Sequence, residues 1–173
     1  MIGFVDVGYD ETNGRARAGL VIARGWTEAV PVREVVVIVE GLAPYQPGEF
    51  YRRELPPLLA VLGSLPELPQ VVVVDGFVWL DGDGKAGLGA HLHRALEGKA
   101  AVVGVAKTWF QGAGAACEVY RGNSKRPLFV SAVGLELDQA ADAVQAMAGS
   151  HRVPSLIRWA DQLSRGAEPR TSL

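Results

Sequence analysis

Three acidic residues occupy positions where the surrounding sequence predicts buried or ordered backbone. Asp6 interrupts the apolar run at 2–7, where a charged residue is disfavoured in a strand, and Asp75 follows four consecutive valines. Glu54 lies at the head of a predicted helix. Because burying an unpaired charge is costly, these carboxylates need a cation or a metal as partner. Carboxylate oxygens are the ligands that Mg²⁺ prefers, so the three groups could share a divalent metal.

Two more polar residues and one aromatic residue would extend such a site. Asp161 is a fourth carboxylate on the last predicted helix, and Lys107 follows the end of a predicted strand. Two metals about 3.5–4 Å apart can stabilise both the attacking and the leaving oxygen of a phosphodiester, and a lysine could contact a phosphate oxygen. Tyr45, in a stiff proline-flanked loop, could insert into a base stack. Each residue alone also fits an ordinary role as a cap, an ion-pair partner, a solvated lysine or a packed tyrosine.

The composition is that of one globular domain. The chain has 173 residues, of which 49% are hydrophobic and 21% are charged. A formal net charge of −2 excludes a globally basic surface, so nucleic acid would have to contact a local patch or bound cations. Cys117 is the single cysteine, which excludes an intrachain disulfide and a cysteine-based zinc site. With no evident signal peptide or membrane span, we expect a cytoplasmic protein that requires no oligomer.

The elements that must position these residues follow the chain in a regular order. Strands are predicted at 2–7, 16–23, 32–39, 71–74 and 101–105, a hairpin at 118–120 and 128–130, and helices at 50–62, 87–96, 137–148 and 155–163, the last with Ser155 as N-cap. Short turns favour antiparallel pairing of the first three strands, and the alternation that follows favours parallel strands with helices on both faces. We therefore expect a mixed α/β sheet in one domain at 1–165, with a flexible tail at 166–173. In that sheet Asp6 and Asp75 would be neighbours.

Five motifs, in order, resemble those of the endonuclease V family over nearly the whole chain. They are Val5-Asp6-Val7-Gly8-Tyr9, Pro44-Tyr45-Gln46-Pro47-Gly48 continuing to Arg53-Glu54, Val74-Asp75-Gly76, Gly104-Val105-Ala106-Lys107-Thr108 and Arg158-Trp159-Ala160-Asp161. The resemblance implies a ribonuclease H-like fold and cleavage that depends on Mg²⁺, with Mn²⁺ as a plausible substitute. It implies a DNA-repair nuclease that cuts 3′ to a deaminated purine, usually hypoxanthine (inosine), at the second phosphodiester, in DNA or RNA.

The resemblance also implies a role for individual residues. Asp6, Glu54 and Asp75 would bind metal, Asp161 would be a further acidic group beside it, and Lys107 would be the active-site lysine. Tyr45 would be the wedge that separates the strands. The remaining residues that match nucleic-acid-binding positions of the family are Pro47, Gly48, Phe50, Gly76 and Phe110.

Two departures from the family pattern fall on the parts that recognise the substrate. After Asp75-Gly76 the usual His-Pro-Arg element is missing, and Asp81 lies near the place of its histidine. After Ser131 the common Gly-His-Arg is replaced by apolar residues at 132–135. The metal site is thus expected to be retained, while Phe77 or Trp79 could reshape the base pocket toward another lesion. Two alternatives stay open: a structure-selective nuclease of the same fold with altered or no lesion specificity, and a non-catalytic nucleic-acid-binding relative.

Overall fold

The computed structural model describes residues 1–42, 44, 47–110 and 116–170. In these ranges, seven strands form one sheet and four helices pack against it. The elements are β1 (Ile2–Asp10), β2 (Arg15–Ala23), β3 (Arg33–Glu40), α1 (Tyr51–Gly63), β4 (Val71–Val74), α2 (Leu88–Ala95), β5 (Ala101–Ala106), β6 (Cys117–Val119), β7 (Leu128–Val133), α3 (Leu137–Ala146) and α4 (Ser155–Ser164). The strand order is β3-β2-β1-β4-β5-β7-β6.

The sheet is mixed, as the sequence predicted. β1, β2 and β3 are antiparallel neighbours, whereas β4 and β5 run parallel to β1. The predicted hairpin of β6 and β7 adds two antiparallel strands at the far edge, because β7 returns alongside β5. Consecutive valines form β4 because a central parallel strand is covered by helices on both faces.

Alternating side chains of β1 divide the apolar interior into two layers. Phe4 packs on one face with residues of α3 and α4, among them Trp159. Val5 packs on the other face with residues of α1 and α2, among them Leu58. Because side chains alternate between the two faces along a strand, the position of each residue in β1 determines which pair of helices it packs against.

Several element ends differ from the prediction. β1 continues three residues beyond Val7, because its pairing with β2 extends to Asp10 opposite Arg15. The expectation that Ser155 caps α4 is wrong, since Ser155 is the first helical residue and Pro154 is the N-cap. A proline suits this place because the first helical turn leaves backbone N–H groups without intrahelical partners.

Some contacts fix the surroundings of α4. Arg17 on β2 donates hydrogen bonds to the carbonyl oxygens of Leu163 (2.8 Å) and Ala167 (2.9 Å). The guanidinium of Arg170 lies 3.6 Å from the centre of the Trp159 ring.

Flexibility of the tail at 166–173 stays a prediction. Across the described part of the chain, no helix combines the length and apolar character needed to cross a bilayer.

Candidate active site

The predicted neighbours Asp6 and Asp75 lie side by side at one edge of the sheet. β1 and β4 run parallel with Val5 opposite Val74, so the next residue on each strand is an aspartate. The chain can leave β4 sharply because Gly76 has a φ of +139°, which only glycine adopts readily. On the next strand, Lys107 follows the end of β5 and donates a hydrogen bond of 2.5 Å from Nζ to Asp75 Oδ2.

Glycines allow α4 to lie directly on β1 and β2. A Cβ atom on Gly8 would be 2.3 Å from the carbonyl oxygen of Ser164, and one on Gly19 would be 2.8 Å from that of Ala160. This close approach brings Asp161 to the cleft and places the Ser164 hydroxyl 2.5 Å from Asp6 Oδ2. Ser164 also lies 2.8 Å from the Asp161 carbonyl oxygen, so its single proton serves one acceptor at a time.

Glu54 enters from the opposite face of the sheet, in the first turn of α1. Its Oε1 accepts a hydrogen bond of 3.2 Å from the hydroxyl of Tyr9. Side chains alternate between the two faces along β1, so Tyr9 lies on the same face as Val5, which packs against α1. The guanidinium of Arg53 lies 4.4 Å from the Tyr9 ring centre and pairs with Glu11. These contacts hold α1 against the end of β1.

The four predicted carboxylates line one cleft of about 630 Å³, together with Tyr9, Phe50 and Ser164. A second cavity of about 300 Å³ adjoins it, and Asp75 and Phe50 line both. Three residues predicted to bind nucleic acid, Gly48, Gly76 and Phe110, line this second cavity. Its other lining residues are Tyr51, Phe77, Leu80, Lys85, Ala86, Gly87 and Leu88. Pro47 is not among them. Tyr45, the expected wedge, lies outside the described residues.

Burial and mutual repulsion make the cleft unfavourable for negative charge. Burial, with a smaller contribution from the charges of Asp75 and Asp161, raises the pKa of Asp6 to about 6, although the hydrogen bond from Ser164 acts against it. Burial and then the charge of Asp6 raise the pKa of Glu54 to about 8. Burial lowers the pKa of Lys107, but its hydrogen bond to Asp75 and the nearby carboxylates outweigh it, and the net pKa is raised.

Each carboxylate is held by a partner from the protein itself. Asp6 accepts from Ser164, Glu54 from Tyr9 and Asp75 from Lys107. Asp161 Oδ1 accepts from Arg165 Nε at 3.0 Å. In residues 1–42, 44, 47–110 and 116–170, no three acidic, histidine or cysteine side chains are arranged to hold a metal ion in these rotamers. The donor set of four carboxylates around one cleft nevertheless has the chemistry that Mg²⁺ requires.

Tyr9, Ser164 and Lys85 line the site without having been predicted from sequence. The alternation of side chains along β1 would have placed Tyr9 on the side of α1. Helical spacing would have placed Ser164, three residues after Asp161, on the same face of α4 as Asp161. No such sequence pattern would have placed Lys85 at the cavity. It enters the cavity wall because Leu80 N donates to the Lys85 carbonyl oxygen (2.8 Å), which closes the loop between them.

Comparisons with known proteins show which family and which structures the chain is similar to. The family model described as endonuclease V matches residues 1–120, a range that includes Asp6, Glu54, Asp75 and Lys107 but not Asp161. Endonuclease V of Streptomyces avermitilis is 34% identical over 184 residues, covering 94% of this chain and 78% of the relative.

Solved structures show the same architecture. The catalytic domain of human endonuclease V superimposes with a TM-score of 0.77 at 30% identity, covering 95% of this chain and 80% of that one. Ciona intestinalis endonuclease V, solved in complex with a 23mer DNA containing an inosine followed by a ribo-adenosine, has a TM-score of 0.75 at 22% identity. It covers 95% of this chain and 83% of that one, and at this identity the likeness concerns the fold. These proteins share the ribonuclease H-like sheet.

Proposed function

Because the chain belongs to the endonuclease V family, we propose that it is a Mg²⁺-dependent nuclease that cleaves a phosphodiester bond 3′ to a deaminated purine. The observation that carries the proposal is the meeting of Asp6, Glu54, Asp75 and Asp161 around one cleft, with Lys107 beside them. Four different elements supply these carboxylates. Acidic groups gathered from such distant positions repel one another when ionised, and a bound cation would offset that repulsion.

In this proposal the four carboxylates would hold the divalent cation, with Mn²⁺ as a possible substitute. When bound, it supplies Lewis-acid polarisation of the phosphate and lowers the pKa of a nearby water. The raised pKa values of Asp6 and Glu54 support the assignment, because carboxylates that resist ionisation in a metal-free cleft gain most from a nearby positive charge. The Lys107 ammonium, whose pKa is raised, remains charged and can move from Asp75 to a phosphate oxygen.

The adjoining cavity would receive the damaged base. Phe50, Phe77 and Phe110 give it aromatic walls, and glycines at 48 and 76 let backbone approach a base edge. An extruded base is read by stacking and by hydrogen bonds to its edge, and extrusion costs least when the base is mispaired. Hypoxanthine is the proposed lesion, and the Ciona relative of the same fold was solved with inosine-containing DNA.

The cellular role that we propose is repair of deaminated DNA, or processing of inosine-containing RNA, in the cytoplasm. A second candidate is a nuclease of the same type with altered lesion choice. It is favoured by Leu80 and Lys85, which line the cavity on the segment where the family's His-Pro-Arg element is missing. Lys85 adds an ammonium group, a hydrogen-bond donor that could bind a carbonyl oxygen of hypoxanthine or the additional carbonyl oxygen of xanthine or uracil.

The test compares purified Asp6→Ala and Asp75→Ala variants with the unsubstituted protein. Labelled oligonucleotides carrying hypoxanthine, xanthine, uracil or no lesion, and a branched junction, are incubated with Mg²⁺ or with EDTA, and nick positions are mapped. We expect Mg²⁺-dependent nicking 3′ to hypoxanthine, lost in both variants while their circular dichroism is unchanged. Asp142→Ala, which changes an exposed carboxylate on α3, should keep full activity. Normal turnover by either cleft variant would refute the assignment of metal ligands.

A further inference from the structure

Trp109 is a large aromatic residue that the proposed chemistry does not use. It follows Lys107 by two residues and is 49% exposed. Phe50 (48%) and Phe110 (50%) are also half exposed, and both line the proposed base cavity. Three half-exposed aromatic residues near one cleft are a candidate contact surface, because clustered exposed apolar side chains mark interaction sites.

The Trp109 ring rests on two buried aromatic rings. It meets Phe77 edge to face at a centroid distance of 6.4 Å and Phe129 in a tilted arrangement at 5.1 Å. Phe77 and Phe129 are each 8% exposed. The segment is anchored as well, since Arg152 donates hydrogen bonds to the carbonyl oxygens of Lys107 and Pro127. The indole is therefore supported from below while about half of its surface stays accessible.

The position of Trp109 distinguishes its ligand from the damaged base. Phe77 lines the base cavity and also supports Trp109, so the indole lies one ring away from that cavity. A strand that places one base in the cavity and a phosphate at Lys107 would bring a neighbouring base to this ring. Trp109 would thus extend the binding surface beyond the damaged base.

The charge of the protein also favours a stacking contact. The net charge is −2, and four carboxylates line the cleft, so the electrostatic attraction that dominates much nucleic-acid binding is weak here. Stacking of a base on an aromatic side chain supplies binding free energy that does not depend on net charge, and every base offers a face for it.

Resting on the proposed function, we propose that Trp109 is a stacking platform for an unpaired base adjacent to the lesion in the bound strand. The ligand is a nucleobase of single-stranded DNA or RNA, held by its face and not read at its edge. The contact would contribute affinity and would place no requirement on the identity of that base.

The experiment measures binding without turnover, in EDTA or Ca²⁺, by fluorescence anisotropy of a labelled single-stranded inosine oligonucleotide in DNA and RNA versions. Trp109→Ala is expected to weaken binding by roughly 5- to 150-fold, the range that base stacking supplies. Trp109→Phe should keep most of the affinity. Trp109→Leu preserves apolar packing on Phe129 without a ring face and should behave as alanine does. Ile38→Ala, which removes a side chain of similar exposure (50%) on β3, should bind normally.

A scan with single abasic sites makes the test specific. At one position beside the lesion, loss of the base should weaken binding by the unsubstituted protein but not by Trp109→Ala, because the two partners of one contact are then both missing. The inference would be overturned if each abasic site weakened binding equally in both proteins, or if Trp109→Leu bound with normal affinity. In either case inosine-dependent cleavage by the unsubstituted protein would leave the proposed function intact. If the unsubstituted protein neither binds any of the oligonucleotides in Ca²⁺ nor cleaves them in Mg²⁺, both the inference and the proposed function are overturned.

Discussion

Replacing Glu54 with glutamine is expected to stabilise the metal-free protein at alkaline pH. In the folded protein burial and the charge of Asp6 raise the pKa of Glu54 to about 8, whereas its ordinary value is 4.5. Because the folded state holds this proton more tightly than the unfolded state, the stability that the protonated group provides is full below pH 4.5. It is lost as the pH rises toward 8.

The size of the effect follows from the same two pKa values. Their difference corresponds to an upper limit on the order of 5 kcal/mol in the free energy of unfolding. Water enters the cleft and side chains can rearrange, so we expect an observed loss of about 2 to 3 kcal/mol between pH 5 and pH 8.5. Asp6, with a pKa of about 6, adds a smaller loss that is complete at lower pH.

The assay is urea unfolding in EDTA at several pH values from 5 to 8.5. Glu54→Gln keeps an oxygen that can accept from Tyr9 but removes the charge, so its stability should exceed that of the unsubstituted protein at pH 8.5 and match it near pH 5. Glu67→Gln, at an exposed site, is the control and should follow the unsubstituted protein. Saturating Mg²⁺ should remove most of the difference at pH 8.5. An identical pH dependence of all three proteins would refute the reasoning, because Glu54 would then ionise without cost in the fold.

Three further outcomes follow from other contacts. Lys107→Met should lower the cleavage rate at saturating Mg²⁺ by about 10²-fold or more without loss of thermal stability, since it removes a charge that can contact the phosphate; a rate within twofold of normal would contradict this role. Gly8→Ala should destabilise the protein by about 1–3 kcal/mol in urea and reduce activity, because its Cβ would meet the Ser164 carbonyl oxygen at 2.3 Å; unchanged stability would show that α4 can move away freely. Arg121→Met should cost about 2–4 kcal/mol in urea, because this 4% exposed guanidinium binds backbone carbonyl oxygens after α3; a neutral result would mean that water replaces it.

The sequence was sufficient for much of the sheet because the relevant patterns are local. The valine run at 71–74 became β4 with the predicted bounds, and the family resemblance and the ribonuclease H-like fold were confirmed. The adjacency of Asp6 and Asp75 agrees with the sequence prediction, since β1 and β4 pair in parallel with Val5 opposite Val74 and an aspartate follows each of these valines.

Other features depend on packing between elements, which local patterns do not encode. The bond between Ser164 and Asp6 exists only because α4 crosses β1 at contact distance, and that approach depends on Gly8 and Gly19 together. Arg121, a charged residue between β6 and β7, is buried against backbone carbonyl oxygens. From sequence alone, a charged residue in a turn is predicted to be exposed to solvent, because the position of the neighbouring helix is not known.

The docking of α4 against Gly8 also has a consequence for partly unfolded forms of the protein. Asp6 and Asp161 lie far apart in the sequence and meet only where α4 rests on β1. A form of the protein in which α4 has left the sheet would keep the pairing of β1 with β2 and β4 but would lose the fourth carboxylate. Local opening at α4 would therefore abolish the cleft before the sheet itself unfolds.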